Sequence, residues 1–179
     1  FMLKKSIKSL ALIGMMGSGK SSVGRLLAKE IKFDFFDSDI EIESASNLDI
    51  REIFEKYGED YFRKAEFSII SRIISIKRNK VLSVGGGAFA RKETINILKK
   101  NCYVIYLKAS IMTLTSRLKN NLTARPLLNK KNLNKKLYEL MKKRSIFYED
   151  ADLILDVDKL HLNEIVKKIK MSKDGKLND

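Results

Sequence analysis

The chain has 179 residues, enough for one α/β domain with a full hydrophobic core and too few for a second of similar size. At 44% hydrophobic and 32% charged residues it is neither disordered nor membrane-spanning by composition, and its formal net charge of +14 favours anionic partners, nucleic acid or small phosphorylated and carboxylated molecules. The basic residues come as scattered pairs (Lys77 and Arg78, Lys99 and Lys100, Lys135 and Lys136) without interleaved aromatics, which is the pattern of solvated helix faces rather than of a nucleic-acid stripe.

The first apolar run, Leu10 to Met16, follows three lysines as a secretory signal would. It is too short for one and flows directly into a glycine-rich turn, so it reads as a buried strand near Ser9 to Ile13. Phe1 before Met2 reads as an expression remnant. Gly14-Met15-Met16-Gly17-Ser18-Gly19-Lys20-Ser21 then matches the G-x-x-x-x-G-K-[ST] phosphate loop, between a strand and a helix running from about Lys20 to Ile31. Gly14, Gly17 and Gly19 let backbone amides approach phosphates at the positive end of the helix dipole, with Ser18 and Ser22 alongside. Lys20 reaches the β- and γ-phosphates, and the Ser21 hydroxyl suits magnesium. A glycine-rich turn with an exposed lysine is the bland alternative.

A second strand, near Phe33 to Phe36, leads into Asp37-Ser38-Asp39. In extended chain the period of two puts both acids on one side, where one can serve magnesium and the other can orient a hydroxyl and accept its proton. A solvated turn with a helix N-cap at Asp39 explains the same residues. Next, Phe62, Ala65, Ile69, Ile70 and Ile73 form an apolar helix face that also contains Glu66, a carboxylate that needs a partner; Arg63, three residues earlier, is in reach.

The third strand, near Lys80 to Val84, ends in Gly85, Gly86 and Gly87. Three bare residues fit the close approach of a ligand better than a simple turn, which explains one of them. Cys102 is the only cysteine and opens the fourth strand, Tyr103 to Leu107, so it reads as a buried thiol in a cytoplasmic protein. Residues 119–136, polar and containing the only proline, Pro126, read as a mobile lid. Leu133, Leu137, Leu140, Met141 and Tyr148 define a stripe that also holds Arg144. Two inward arginines, Arg63 and Arg144, suit a small carboxylate ligand or a pair of structural salt bridges. A fifth strand covers Leu153 to Val157, and residues 172–179 read as a frayed tail. Strands alternating with helices imply a single doubly wound α/β domain with a five-stranded parallel sheet.

The phosphate loop, Asp37-Ser38-Asp39, Ile53-Phe54 with Gly58-Glu59, Phe62-Arg63 with Glu66, the triple glycine, Arg125-Pro126-Leu127-Leu128 and Arg144-Ser145 with Tyr148 occur in order from about Leu10 to Tyr148. This combination resembles the shikimate kinases. The resemblance implies a nucleoside monophosphate kinase-like fold of strand order 2-3-1-4-5, and transfer of the ATP γ-phosphoryl group to the shikimate 3-hydroxyl in aromatic amino-acid biosynthesis. It also implies that Lys20 binds phosphate, that Ser21 and Asp37 serve Mg2+, and that Asp39 contacts the ring hydroxyls as base. By the same resemblance Arg63, Arg144 and the Gly85 to Gly87 backbone would hold shikimate, and a substrate-binding segment would run over about 38–66, its helix from Asp49 through Arg63 capping the substrate. Arg125 is the lid arginine that meets the phosphates, and Arg117 packs against adenine, with further contacts near Asp156 to Lys159. Ser22 departs from the threonine frequent in the family but keeps the hydroxyl. A monomer without nucleic-acid or membrane partners is expected. A gluconate or nucleotide kinase on the same fold, or a non-catalytic nucleic-acid-binding P-loop protein, are the rival readings.

Overall fold

A computed structural model describes residues 9–119 and 132–173. The apolar runs form strands β1 (Ser9–Ile13), β2 (Asp34–Asp37), β3 (Lys80–Ser83), β4 (Tyr103–Lys108) and β5 (Leu153–Asp156). Each lies within one residue of its expected position. All pairings are parallel, in the order β2-β3-β1-β4-β5. The central β1 is buried at every residue, which is why its run does not alternate, whereas the edge strand β5 alternates half-buried and exposed positions.

Helices α1 (Lys20–Ile31), α2 (Ser38–Ser46), α3 (Ile50–Ser75), α4 (Lys92–Asn101), α5 (Ile111–Leu118), α6 (Leu133–Tyr148) and α7 (Leu162–Lys173) cover the two sides of the sheet. α1 packs on α7, α3 on α4, and α5 on α6, around one hydrophobic core. This is the doubly wound α/β arrangement expected. Because every strand runs the same way, all carboxyl ends open on one edge, where such sheets bind ligands. Among the described residues no helix is long and apolar enough to cross a membrane.

Three expectations need adjustment. Residues 133–136, assigned to the lid, already belong to α6: Leu133 and Leu137 are buried, and the asparagine and lysines between them are the solvated face of a helix, which by composition alone resembles a loop. The rest of that span, 120–131, lies outside the described residues. Ser172 and Lys173, assigned to the tail, end α7. Finally, the helix that the resemblance implies from Asp49 through Arg63 is bent at Gly58, which is not helical (φ 80°, ψ 174°).

The first part of α3 is secured by a capping box between Asp49 and Glu52, and the Ile50 amide donates to Glu43 Oε1 of α2 at 3.0 Å. Phe54 and Phe62 pair across the break at 4.8 Å, as do Tyr57 and Tyr61 at 4.7 Å. The bend lets Ile50 and Phe54 from one half, and Phe62, Arg63 and Glu66 from the other, line the same cleft. A Cβ at Gly58 would meet nothing within 4 Å, so the need for glycine is conformational and not steric. Gly58→Ala should therefore cost about 1–3 kcal/mol of stability in urea unfolding; an unchanged midpoint would show that alanine accepts this bend without strain.

Candidate active site

The phosphate loop turns out of β1 through residues with positive φ, among them Gly17 (81°) and Gly19 (98°), the latter the N-cap of α1. Lys20 is 9% exposed, and its ammonium donates to the Gly14 and Met15 carbonyls, each at 3.0 Å, so the charge is held over the loop. Ser21 Oγ donates to Asp37 Oδ2 at 2.5 Å and lies 3.5 Å from Ser83 Oγ at the end of β3. A hydroxyl beside a carboxylate is a hard-oxygen pair suited to a magnesium ion. From α5, Arg117 Nη1 donates to the Gly17 and Ser18 carbonyls at 3.3 and 3.2 Å.

Asp37 and Asp39 both face the cleft, for a reason other than the strand period. β2 stops at Asp37, whose Oδ1 accepts the Asp39 amide at 3.1 Å and caps α2. Asp39 thus stands in the first helical turn, and the N-cap is Asp37, not Asp39. An N-cap side chain turns back toward the amides it satisfies, and that keeps Asp37 beside its helical neighbour.

Two of the three consecutive glycines have a steric cause. A Cβ on Gly85 would lie 2.5 Å from Glu66 Oε1 and 2.8 Å from Asp39 Oδ1; on Gly87 it would lie 2.5 Å from Arg63 Nη2. On Gly86 it would make only ordinary contacts, with the Gly14 carbonyl and the Met16 amide each 3.4 Å away and Arg144 Nη1 at 3.5 Å. The Gly85 amide is anchored on Ser38 Oγ at 2.9 Å. The ion pair expected from the i, i+3 spacing forms: Arg63 Nη1 meets Glu66 Oε2 at 2.8 Å, and its Nη2 meets Glu59 Oε1 at 3.1 Å. Glu66 is 2% exposed, and burial pushes its carboxyl up from the usual range against the pull of Arg63, Arg144 and Arg91. Arg144, 7% exposed, keeps Nη1 without a hydrogen-bond partner among the described residues, as does Glu66 Oε1.

One cleft of about 400 Å³ therefore gathers Gly17, Gly19, Lys20, Ser21, Ser22, Asp37, Asp39, Arg63, Gly85, Gly86, Gly87, Arg117 and Arg144. Gly14 and Ser18 lie buried beneath it, and Arg125 is outside the described residues. Sequence reasoning gave Ser83 no site role, and it placed Ile50 and Phe54 in the substrate-binding segment without foreseeing the apolar wall they form. For the wall, the i, i+4 spacing of Ile50 and Phe54 before Gly58 was the available signal; for Ser83 there was none, since it meets Ser21 only through the pairing of strands.

The chain resembles known proteins over most of its length. The family profile described as Shikimate kinase matches residues 16–172. A shikimate kinase of Thermodesulfovibrio yellowstonii is 42% identical over 163 residues, 91% of this chain and 93% of that protein. One of Zymomonas mobilis is 45% identical over 146 residues, 82% of each chain. Of solved structures, the shikimate kinase from Acinetobacter baumannii in complex with shikimate aligns with a TM-score of 0.90 and 33% identity over 97% of both chains. That of Aquifex aeolicus aligns at 0.81 with 36% identity, over 93% of this chain and 96% of the other.

Behind the glycines, Tyr148 is wholly buried with its ring 5.0 Å from that of Tyr106, and burial pushes both phenols up to about 12. The unfolded chain releases these protons near pH ~10 while the folded chain retains them, so stability is lost as pH rises from about 10 toward 12. Urea midpoints at about pH 9 and about pH 11 should fall accordingly, and Tyr148→Phe should flatten the decline; equal slopes would place this alkaline sensitivity elsewhere.

Proposed function

Because the chain belongs to the shikimate kinase family, we infer that it transfers the γ-phosphoryl group of ATP to the 3-hydroxyl of shikimate, a step toward chorismate and the aromatic amino acids. The observation that carries this reading is that two guanidinium groups, of Arg63 and Arg144, lie against successive glycines in the same cleft as the phosphate loop, Arg144 Nη1 being buried and unpartnered. Planar two-pronged donors of this kind suit a substrate carboxylate, and their nearness to the loop suits a small acceptor.

In this reading Lys20 and the loop amides around Gly14, Gly17, Ser18 and Gly19 hold the β- and γ-phosphates, with Ser22 beside them. Ser21 and Asp37 would hold Mg2+, their oxygens already 2.5 Å apart; bound there, the ion offsets charge on the β- and γ-phosphates. Residues 38–66 form the substrate-binding segment. Asp39 takes the proton from the 3-hydroxyl as its oxygen bonds to the γ-phosphorus and the bond to the β-phosphate oxygen breaks, releasing ADP. Arg63, Arg144 and the Gly85 to Gly87 backbone hold the substrate. Arg117, bonded to the carbonyls of the loop, flanks the adenine, and Arg125 completes the charge stabilisation at the phosphates. The protein works as a cytoplasmic monomer, consistent with its single, buried cysteine.

ADP release with ATP and Mg2+ tests the reading. Shikimate should raise it, while gluconate and nucleoside monophosphates should not; equal turnover of either rival acceptor would overturn the assignment. Asp39→Asn should keep ATP affinity and lose roughly a thousandfold in rate, since an amide cannot accept the proton.

Arg63→Lys and Arg144→Lys should each weaken shikimate binding by about tenfold or more in a titration, although both keep the charge. Parent-like affinity with a lower melting temperature would mean that the arginines serve as structural ion pairs instead.

A further inference from the structure

Tyr148 is the last residue of α6, one turn after Arg144, and it is among the largest side chains that are fully buried. It does not line the cleft, yet its hydroxyl donates to the Gly86 carbonyl and reaches Met15 Sδ of the phosphate loop at 4.0 Å. The peptide joining Gly86 to Gly87 is planar and trans, so its carbonyl and its N–H point in opposite directions. With the carbonyl bonded to Tyr148, which does not line the cleft, the Gly87 N–H points away from that hydroxyl, and both glycines line the cleft. Among the described residues neither the Gly86 nor the Gly87 amide donates to a protein acceptor. A glycine peptide resists rotation weakly, having no side chain to restrict it, so a bond to its carbonyl is the means available to set its orientation.

We propose that Tyr148 is a positioning residue for the phosphoryl-transfer reaction: its hydroxyl sets the Gly86 carbonyl so that the Gly87 amide is presented to an oxygen of the substrate. The proposal rests on the shikimate kinase reading above and extends it to a residue that touches neither substrate nor nucleotide. Placement of Arg144 and Tyr148 on one buried helix face means that α6 sets a side-chain donor and a backbone donor together. The loss of the hydroxyl should therefore be felt by the substrate more than by ATP, because its close bond is to the Gly86 carbonyl, whereas its contact with the phosphate loop is a 4.0 Å approach to the Met15 thioether and not to a loop amide.

Tyr148→Phe keeps the ring against Tyr106 and removes only the hydroxyl. Below its melting temperature the variant should show a KM for shikimate raised about tenfold, the loss of about one well-oriented hydrogen bond, with the KM for ATP unchanged. Tyr106→Phe, which strips a hydroxyl from the partner ring without touching Gly86, should keep both values. A parent-like shikimate KM in Tyr148→Phe, an equal rise in both KM values, or an equal effect of Tyr106→Phe would overturn the proposal in favour of packing alone. In the unaltered protein the Gly87 amide proton resonance should move on addition of shikimate; an unmoved resonance would overturn it however the variant folds. Absence of shikimate turnover in the unaltered protein would instead remove the functional reading beneath it.

Discussion

A carboxylate set into an apolar helix face cannot stay ionised there without a guanidinium beside it, and Glu66 imposes that condition on the whole substrate side of the cleft. Arg63 answers it from one turn earlier at 2.8 Å, and Glu59 holds the far edge of the same guanidinium, so the plane of the group is fixed before any ligand arrives. The backbone that passes over this pair has no room for side chains. Gly85 runs against the carboxylate and Gly87 against the guanidinium, so two of the three consecutive glycines follow from one buried ion pair. Breaking such a pair by removing one member costs about 3–5 kcal/mol, because the other is left charged and enclosed. The polar site is thus held as rigidly as the core it interrupts.

The third glycine joins the two halves of the cleft. Gly86 faces the backbone of Gly14 and Met16, and Ser83 Oγ at the end of β3 lies 3.5 Å from Ser21 Oγ, so the strand end proposed to meet the substrate and the loop proposed to meet the phosphates are close neighbours. That closeness matters for phosphoryl transfer, where most of the acceleration comes from placing the acceptor oxygen in line with the γ-phosphorus and from fixed charge around it. Adjacent parallel strands supply this proximity: β3 lies beside β1, and the pairing of Leu12 with Ser83 brings the ends of both to the same level.

The same packing explains how the cleft can carry unsatisfied polar atoms. Leu10 to Ile13, Val81, Leu82 and Val104 to Leu107 are essentially inaccessible and form one continuous apolar layer. Buried area of this kind, at about 25 cal/mol per Å² of apolar surface, is what lets Arg144 Nη1 and Glu66 Oε1 remain buried without partners. Bent α3 adds the wall of Ile50, Phe54 and Phe62, which excludes water from the guanidinium side and strengthens the electrostatic interactions there.

By itself the sequence determined whatever depends on residues close together along the chain. The five strands were readable because fully buried parallel strands are short unbroken apolar runs, and the phosphate loop because its glycines, Lys20 and Ser21 act within eight residues of one another. The Arg63 and Glu66 pair was readable because helical spacing makes them neighbours. Local composition misled where a helix is as polar as a loop or tail, at residues 133–136 and at Ser172 and Lys173. Tertiary structure alone decided which of several open partners each residue takes. It put Asp39 beside Asp37 through a cap and not a strand, bent α3 at Gly58, and seated Ser83 by Ser21 and Tyr148 behind Gly86. Those contacts join residues 62 positions apart in the chain, and no periodicity encodes a distance of that kind; it is set only when sheet and helices close on a common core.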